Sequence, residues 1–468
     1  MDGDQITAKI VYTQEANAEC EKLLQSKAFF INASGQNIRY TELEVQQTFF
    51  TMTKEPTSKD RTLDALEKKF FLEMPIEEFT FSNLVEWFGN TSDMEDGDKT
   101  EVRKSKFSMT DKMTLSHNDY RLVNGTLQTT LGRYLYTRIV LDGSGIGEYV
   151  GFVNEVLDDK TYGKLQAKIT KGLVEDKITV AQMYKYTDRR DWLGLQMHGV
   201  ITTSFTMSSL KVPKEVQKLK KDLLKEYKTE IENGDPVVSE KIEKALVNKT
   251  KEVMKDDVGM DLYISGARGS IGNNYKNMYL YRGAVKNQLT GKYDIITDAY
   301  TDGLAKKDVA SHSNTIIAGA FPKGVGTQVS GYLSKQLISA MQSEVLAEAG
   351  SDCGSKGYIK IRIPEKKWDD FMYRYIIVGD KLVNLNDETM PKYIGKEVKL
   401  RSPMYCIGYG KEKCLCNKCA GDFYYKLGKK NIGLLCSRPA ETTKRLGMKK
   451  FHSNLITTFQ IDVEDMLI

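Results

Sequence analysis

The feature that most constrains the fold of this 468-residue chain is a short run of cysteines, at Cys406, Cys414, Cys416 and Cys419. The last two form a C-x-x-C turn, and thiolates at this spacing can surround one tetrahedral Zn²⁺. A distant thiol, Cys353, is a further candidate ligand, and metal binding there would join two segments that lie far apart in the chain. The two remaining cysteines, Cys20 and Cys436, are expected to be buried small hydrophobic residues.

The composition predicts a cytoplasmic protein with hydrophobic cores. Hydrophobic residues make up 40% of the chain, and 68 Lys and Arg against 63 Asp and Glu give a net charge of +5. This mild excess indicates that any nucleic-acid contact is confined to local patches. No apolar run approaches the roughly 18 to 20 residues that span a bilayer, and the acidic start MDGDQ is unlike a signal peptide, so no membrane partner is expected. In the cytoplasm, a C-x-x-C sequence indicates metal binding or redox chemistry before a structural disulfide.

Residues 211–257 have the pattern of an antiparallel helical hairpin. Two runs of apolar residues at helical spacing are separated by Asn-Gly-Asp-Pro at 233–236. Glycine and proline between two amphipathic runs favour a turn between packed helices. The apolar positions are Val216, Leu219, Leu223, Leu224, Tyr227 and Ile231 in the first run, and Ile242, Leu246 and Val253 in the second.

Two segments carry residues suited to metal and phosphate chemistry. Asp2 and Asp4 flank a glycine, so both carboxylates can reach one hard cation. Near the other end, Arg445 is followed by Met-Lys-Lys-Phe-His at 448–452, which places positive charge beside a lone histidine. Alone, the aspartate pair is more typical of an acidic tail than of a metal site, and a lone histidine is more often structural.

Taken together, these and other segments resemble the largest (β′) subunit of multisubunit DNA-directed RNA polymerases. They occur in the family's order from residue 2 to residue 452. The matching segments are DGDQ at 2–5, TTLGRYL at 129–135, SGARGS at 265–270, DGL at 302–304, SGYLSK at 330–335, the cysteine cluster, and MKKFH at 448–452.

The resemblance implies a mixed α and β chain, predominantly helical, that forms part of a larger two-barrel polymerase. It would be divided into a catalytic-loop end with flanking strand and helices (1–58), a lineage-specific surface region (59–128), a funnel region (129–257) with the helical hairpin (211–257), the SGARGS region (258–300), a bridge helix (301–345), a zinc-binding module (346–435) and a trigger loop (436–468).

The resemblance also implies a subunit that begins inside its own metal loop. Asp2 and Asp4 match the second and third aspartates that bind the catalytic Mg²⁺, and the first has no counterpart. The missing aspartate either lies on a partner chain or has been lost. Split β and β′ polypeptides are typical of giant bacteriophages, so we expect a phage subunit acting in the cytoplasm of a bacterial host.

For the bridge helix, the resemblance implies about 30 residues, or roughly 45 Å. Gly319, Pro322, Gly324 and Gly326 would kink such a helix. A helix-loop-helix without a functional bend is the alternative. The residues implied to position nucleic acid or substrate are Arg268, Thr327, Tyr332 and Lys335.

In the trigger loop, the resemblance implies that Met448 packs on the nucleotide base and Lys449 contacts the phosphates. His452 would lie beside the leaving pyrophosphate, and Arg445 takes the place of a glutamine that touches the ribose. The implied zinc ligands are Cys353, Cys406, Cys416 and Cys419. Cys414 is a competitor, because the gap before the C-x-x-C differs slightly from the family's.

The expected function is template-directed addition of nucleotides to the RNA 3′ end. Two Mg²⁺ ions would stabilise the attacking and leaving oxygens during phosphoryl transfer. The expected partners are a β′ N-terminal polypeptide, β-type subunits, template DNA, the RNA product and NTPs, with a promoter-specificity factor as a further candidate. The alternative is a non-catalytic, zinc-containing, nucleic-acid-binding transcription factor. The DGDQ, SGARGS and MKKFH segments favour the enzyme, since a zinc module alone requires none of them.

Overall fold

The structure, a computed structural model, describes residues 8–32, 35–89, 91–93, 101–103, 105–287, 290–303, 305–321, 327–412, 414–433 and 436–437. It is a mixed α and β protein in which helices hold several times as many residues as strands. Within the described ranges, no helix combines the length and the apolar character needed to cross a membrane.

An N-terminal body packs helices around a large hydrophobic core. The segment expected to form a surface region, 59–128, also supplies buried residues to this core, including Phe71, Leu84 and Leu115. The helices of the body are α1 (Gln14–Leu24), α2 (Leu43–Met52), α3 (Ala65–Glu73), α4 (Phe81–Phe88), α5 (Leu131–Tyr136), α6 (Gly147–Val150), α7 (Asp159–Val174) and α8 (Val180–His198). Its antiparallel strand pairs are β1 (Thr91–Asp93) with β2 (Glu101–Arg103), and β3 (Lys112–Ser116) with β4 (Thr126–Thr130).

The close crossing of α2 and α8 is a central contact of this body. α8 begins with a reciprocal cap, in which the Thr179 hydroxyl accepts the N–H of Gln182 and the Gln182 side chain accepts the N–H of Thr179. Further along, a Cβ atom at Gly194 would lie only 2.4 Å from Cγ1 of Val45 on α2. The missing side chain therefore allows the two helices to approach, and the Thr48 hydroxyl donates to the Gly194 carbonyl at 3.0 Å.

Packed helices occupy the segment in which the sequence predicts a hairpin. They are α9 (Lys214–Glu226), α10 (Lys228–Glu232) and α11 (Pro236–Val253). Asp235 caps α11 by accepting a hydrogen bond from a backbone N–H of its first turn at 2.8 Å. Pro236 is the first residue of the helix, where a backbone N–H would have no intrahelical acceptor, so proline costs no hydrogen bond there. Ile242 and Leu246 are fully buried, whereas Val253 at the end of α11 is 38% exposed.

The SGARGS region packs on α11. It contains α12 (Asp261–Ile264), a π-helical segment (Ile271–Leu280), and the antiparallel strands β5 (Gly283–Lys286) and β6 (Tyr293–Ile296). Tyr275 and Tyr281 are fully buried against the hairpin helices.

Two helices are described where the sequence predicts the bridge helix. They are α13 (Val309–Phe321) and α14 (Thr327–Met341), with 13 and 15 residues. Gly319 lies within α13, whereas Pro322, Gly324 and Gly326 lie outside the described residues. A single kinked helix of about 30 residues therefore stays a prediction.

A four-stranded antiparallel sheet fills the interval between Cys353 and Cys406. The strands of this region are β7 (Val345–Leu346), β8 (Ile359–Arg362), β9 (Tyr375–Val378), β10 (Lys381–Asn384), β11 (Glu397–Leu400) and β12 (Cys414–Leu415), with β12 parallel to β7. The order of strands in the four-stranded sheet is β10-β9-β11-β8. Its first and last strands in the chain, β8 and β11, are therefore neighbours, and the chain leaves the sheet close to where it entered. The strands and their connections share a hydrophobic core, whose buried residues are Ile363, Ile376, Leu385, Met390, Val398 and Leu400.

This region is attached to the N-terminal body. Tyr373 is buried in the large core, and its hydroxyl donates to Glu175 at 3.1 Å. Lys171 on α7 lies 2.6 Å from the carboxylate of Asp387. Three short helices complete the region, namely α15 (Ile407–Glu412), α16 (Asn417–Ala420) and α17 (Phe423–Lys426).

Candidate metal centre

Four cysteine thiols converge at the base of the inserted sheet. Their sulfur atoms all lie within 4.8 Å of one another, and the four residues are Cys353, Cys406, Cys416 and Cys419. The Sγ atoms of Cys353 and Cys419 are 3.7 Å apart. Zinc–thiolate bonds of about 2.3 Å place the sulfurs of a regular tetrahedron about 3.8 Å apart. The cluster therefore has the donor set and the dimensions of a zinc–tetrathiolate site.

The backbone explains how the thiols meet. Because β8 and β11 are paired, the segments that precede one strand and follow the other lie together, which brings Cys353 close to Cys406. Cys416 precedes the short helix α16, Cys419 lies within it, and Gly421 ends it with φ +88°. A Cβ atom at Gly421 would lie 2.8 Å from the Tyr373 carbonyl oxygen, so this turn requires glycine.

The cluster is closed to solvent on most sides. Cys406, Cys416 and Cys419 are all buried, and Cys353 is half-buried. An ion bound by all four thiolates would have no open position for substrate, which is typical of a structural site.

Asn417, between the two cysteines of the C-x-x-C, connects this turn to the segment that carries Cys353. Its Oδ1 accepts the N–H of Gly350 at 2.7 Å. Its Nδ2 donates to the Gly421 carbonyl at 3.2 Å and to Asp422 at 2.8 Å. Its backbone N–H donates to the Ser351 hydroxyl at 3.0 Å. The sequence gives no sign of this role, because the metal constrains only the cysteines of the motif.

Arg401, the residue after β11, approaches the sulfurs from the sheet. Its Nη2 donates to Cys419 Sγ at 3.2 Å, to Cys353 Sγ at 3.4 Å and to Asp352 at 2.9 Å. The arginine side chain is 3% exposed. Sequence alone does not identify this residue, since only the strand pairing places it beside the cysteines.

The thiols differ in acidity. Burial raises the pKa of Cys353, but backbone N–H groups more than offset this effect and lower its pKa to about 6. Burial raises the pKa of Cys416 and takes that of Cys419 well above its usual range, although Arg401 acts on Cys419 in the opposite direction. Zinc binding at neutral pH should therefore release protons from Cys416 and Cys419.

The other cysteines lie elsewhere. Cys414, the competing ligand of the sequence analysis, is in β12 and is not part of the four-thiol cluster. Cys20 was expected to be buried but is exposed, because α1 has no buried residue. Cys436 is half-buried against Tyr424.

Of the residues predicted to position nucleic acid, Thr327, Tyr332 and Lys335 share α14, whereas Arg268 lies in the SGARGS loop. Arg268 stands between two glycines with positive φ, Gly266 and Gly269, and its guanidinium forms an ion pair with Glu44 on α2. Tyr332 on α14 is 66% exposed, and Lys335, three residues further along, is also exposed. Residues three apart share a helix face. Thr327 begins α14.

The predicted magnesium and trigger-loop residues all lie outside the described residues. They are Asp2, Asp4, Arg445, Met448, Lys449 and His452. Their roles stay predictions.

No protein-family model matches the sequence. Curated proteins do match it. The "DNA-directed RNA polymerase subunit beta'" of Ruthia magnifica subsp. Calyptogena magnifica is 22% identical over 509 residues, covering 96% of this chain and 34% of the relative. The protein of the same name from Treponema pallidum is 24% identical, covering 85% of this chain and 26% of its own length. That of Levilactobacillus brevis is 23% identical, covering 90% and 37%.

The chain is similar to RNA polymerase β′ subunits. It spans about a third of the length of these relatives.

Proposed function

We propose that this chain is a β′-like subunit of a DNA-directed RNA polymerase and acts only in complex with other subunits. The observation that carries the proposal is the similarity to β′ subunits over 96% of the chain. The convergence of four thiols from residues 353 to 419 supports it, because the resemblance implies this ligand set and the fold brings the same four residues together.

Zinc in this cluster would have a structural role. It would hold the segment around Cys353, after α14, against the C-x-x-C that precedes the trigger segment. A site that does not exist in the unfolded chain couples metal binding to folding, so the ion would contribute directly to the stability of this region.

The catalytic part of the proposal concerns residues at both ends of the sequence. Asp2 and Asp4 would bind catalytic Mg²⁺, with two such ions acting on the attacking and leaving oxygens. Lys449 would contact the phosphates of the NTP, Met448 would pack on its base, and His452 would assist departure of pyrophosphate. Arg445 would lie near the ribose.

The remaining proposals follow the same resemblance. Residues 301–345 would contain the bridge helix. Its residues Thr327, Tyr332 and Lys335 would position nucleic acid or substrate, and so would Arg268 in the SGARGS loop. The partners would be a β′ N-terminal polypeptide, β-type subunits, template DNA, RNA and NTPs. A split enzyme of the giant-phage type is the form of polymerase that we favour.

Nucleotide addition by the purified complex tests the enzymatic proposal. We expect His452→Ala to slow single-nucleotide addition by about a hundredfold or more, the usual loss of a group that transfers a proton. Lys449→Ala should weaken NTP binding, because a charge facing the phosphates is removed. Lys366→Ala, at an exposed lysine between β8 and β9, is the matched control and should leave the rate unchanged. An unchanged rate in His452→Ala would refute the role of His452, and an unchanged NTP affinity in Lys449→Ala would refute the role of Lys449.

A further inference from the structure

A buried arginine contacts the metal centre without being able to ligate it. Arg401 Nη2 donates to the sulfurs of both Cys353 and Cys419, at 3.4 and 3.2 Å. These two cysteines belong to the two segments that the metal would join. The same nitrogen donates to Asp352 at 2.9 Å. One guanidinium group thus bridges both sides of the cluster.

The charge of the site explains why a cation is needed there. Four thiolates around Zn²⁺ leave a net charge of about −2, and Asp352 adds another negative charge beside it. A buried charge is unfavourable unless it is paired and hydrogen-bonded. In the described part of the chain, two other cations near the site direct hydrogen bonds to groups other than the sulfurs. Lys418 donates to the Tyr375 hydroxyl at 2.9 Å, and Arg374 donates to the Arg401 carbonyl at 3.2 Å.

The position of Arg401 connects the site to the inserted sheet. The backbone N–H of Arg401 donates to the Tyr375 carbonyl at 2.8 Å, which continues the pairing of β11 with β9. The guanidinium is therefore held in place by a folded strand. The inserted sheet, which lies between Cys353 and Cys406 in the sequence, contains no cysteine. Its contribution to the site is the positive charge of Arg401.

We propose that Arg401 is a positioning residue of the metal centre, which neutralises part of the negative charge of the bound thiolates and holds Cys353 and Cys419 at ligand separation. This inference rests on the zinc binding proposed above. It assigns the inserted sheet a function, namely to raise the metal affinity of a site to which it gives no ligand.

A purely structural role is the competing explanation, in which Arg401 serves only to pair with Asp352. The two explanations differ for Asp352→Asn. If Arg401 acts only through Asp352, then Asp352→Asn and Arg401→Met remove the same interaction and should have equal effects. If Arg401 acts on the sulfurs, Asp352→Asn should weaken zinc binding less than Arg401→Met does.

Metal titration of the full chain tests the inference. Zinc affinity is measured by competition with a chromophoric chelator, and Co²⁺ replaces zinc for spectroscopy. We expect the wild-type chain to bind one Zn²⁺ and Arg401→Met to bind it about 10- to 100-fold more weakly, the usual effect of removing an outer partner of a metal ligand. The sulfur-to-cobalt charge-transfer band should move to lower energy, because two sulfurs lose an N–H donor. Arg362→Met, on the exposed face of neighbouring β8, is the control and should change neither measurement.

A second variant keeps the test decisive if Arg401→Met does not fold. Arg401→Lys retains the charge but replaces the planar fork with a single ammonium group. We expect less than a tenfold loss of affinity and a charge-transfer band that still moves. Wild-type affinity and an unshifted band in the folded variants would overturn the role of Arg401. Failure of the wild-type chain to bind zinc would instead overturn the zinc proposal itself.

Discussion

Replacing Asn417 with alanine should weaken zinc binding without removing a ligand. The variant loses the hydrogen bond to the Gly350 N–H, which is exposed enough for water to replace it, at a net cost of about 1 kcal/mol. It also leaves the buried Gly421 carbonyl without this partner, at a cost of about 1 to 3 kcal/mol. Asp422 keeps its bond from the Tyr375 hydroxyl, so its loss is small. The total is about 2 to 4 kcal/mol, or a factor of about 30 to 700 in affinity.

This loss of zinc affinity is expected if the Cys353 segment docks on the C-x-x-C only when the metal binds. The hydrogen bonds of Asn417 then stabilise the metal-bound state and not the metal-free state. Chelator competition on the full chain measures the affinity. Asn248→Ala, at an exposed position on α11, is the matched control and should bind zinc like the wild type. An Asn417→Ala chain with wild-type zinc affinity and lower stability would refute the reasoning, because it would show that the two segments are already docked without metal.

Two further predictions concern the packing of the fold. Gly194→Ala should destabilise the chain by about 1 to 3 kcal/mol, because the new Cβ atom clashes with Val45. Gly163→Ala should stabilise α7 by up to about 1 kcal/mol, because a Cβ atom there would meet nothing within 4 Å. Urea denaturation should show a lower free energy of unfolding for the first variant and a higher one for the second. The hydrogen bond from Lys171 lowers the pKa of Asp387. This pair therefore stabilises the contact between sheet and body above pH about 4, and its contribution is lost as the pH falls through the lowered pKa of Asp387. Asp387→Asn should remove that acid dependence, and equal acid profiles in denaturation of the two chains would contradict the assignment.

Part of the four-cysteine cluster could be predicted from local spacing, whereas the inclusion of the distant Cys353 in the ligand set came from the resemblance. A C-x-x-C turn with an upstream cysteine limits the possible ligands to a few residues. The helices of the hairpin could also be predicted from a local pattern, because the spacing of apolar residues indicates which face of a helix is buried. Ile242 and Leu246 follow this rule, and Val253 departs from it because it stands at the exposed end of α11.

The features that the sequence did not predict depend on contacts between distant segments. The strands of the inserted sheet are only four residues long. An alternation of apolar and polar residues over so few positions does not distinguish a strand from other segments of this chain. Without that sheet, nothing places Arg401 beside Cys419. Likewise, the ion pair between Arg268 and Glu44 joins residues more than two hundred positions apart. Such partners become visible only when the fold is known.

Primer extension by the purified complex tests the central proposal most directly, with Asp4→Asn compared with the wild type at several Mg²⁺ concentrations. Asp256→Asn, at an exposed aspartate after α11, is the control. The proposal predicts that Asp4→Asn copurifies with the other subunits but does not extend the primer, while the control extends it at the wild-type rate. Extension by Asp4→Asn at the wild-type rate and with unchanged Mg²⁺ dependence would contradict the assignment of this chain as the β′-like subunit that binds the catalytic metal.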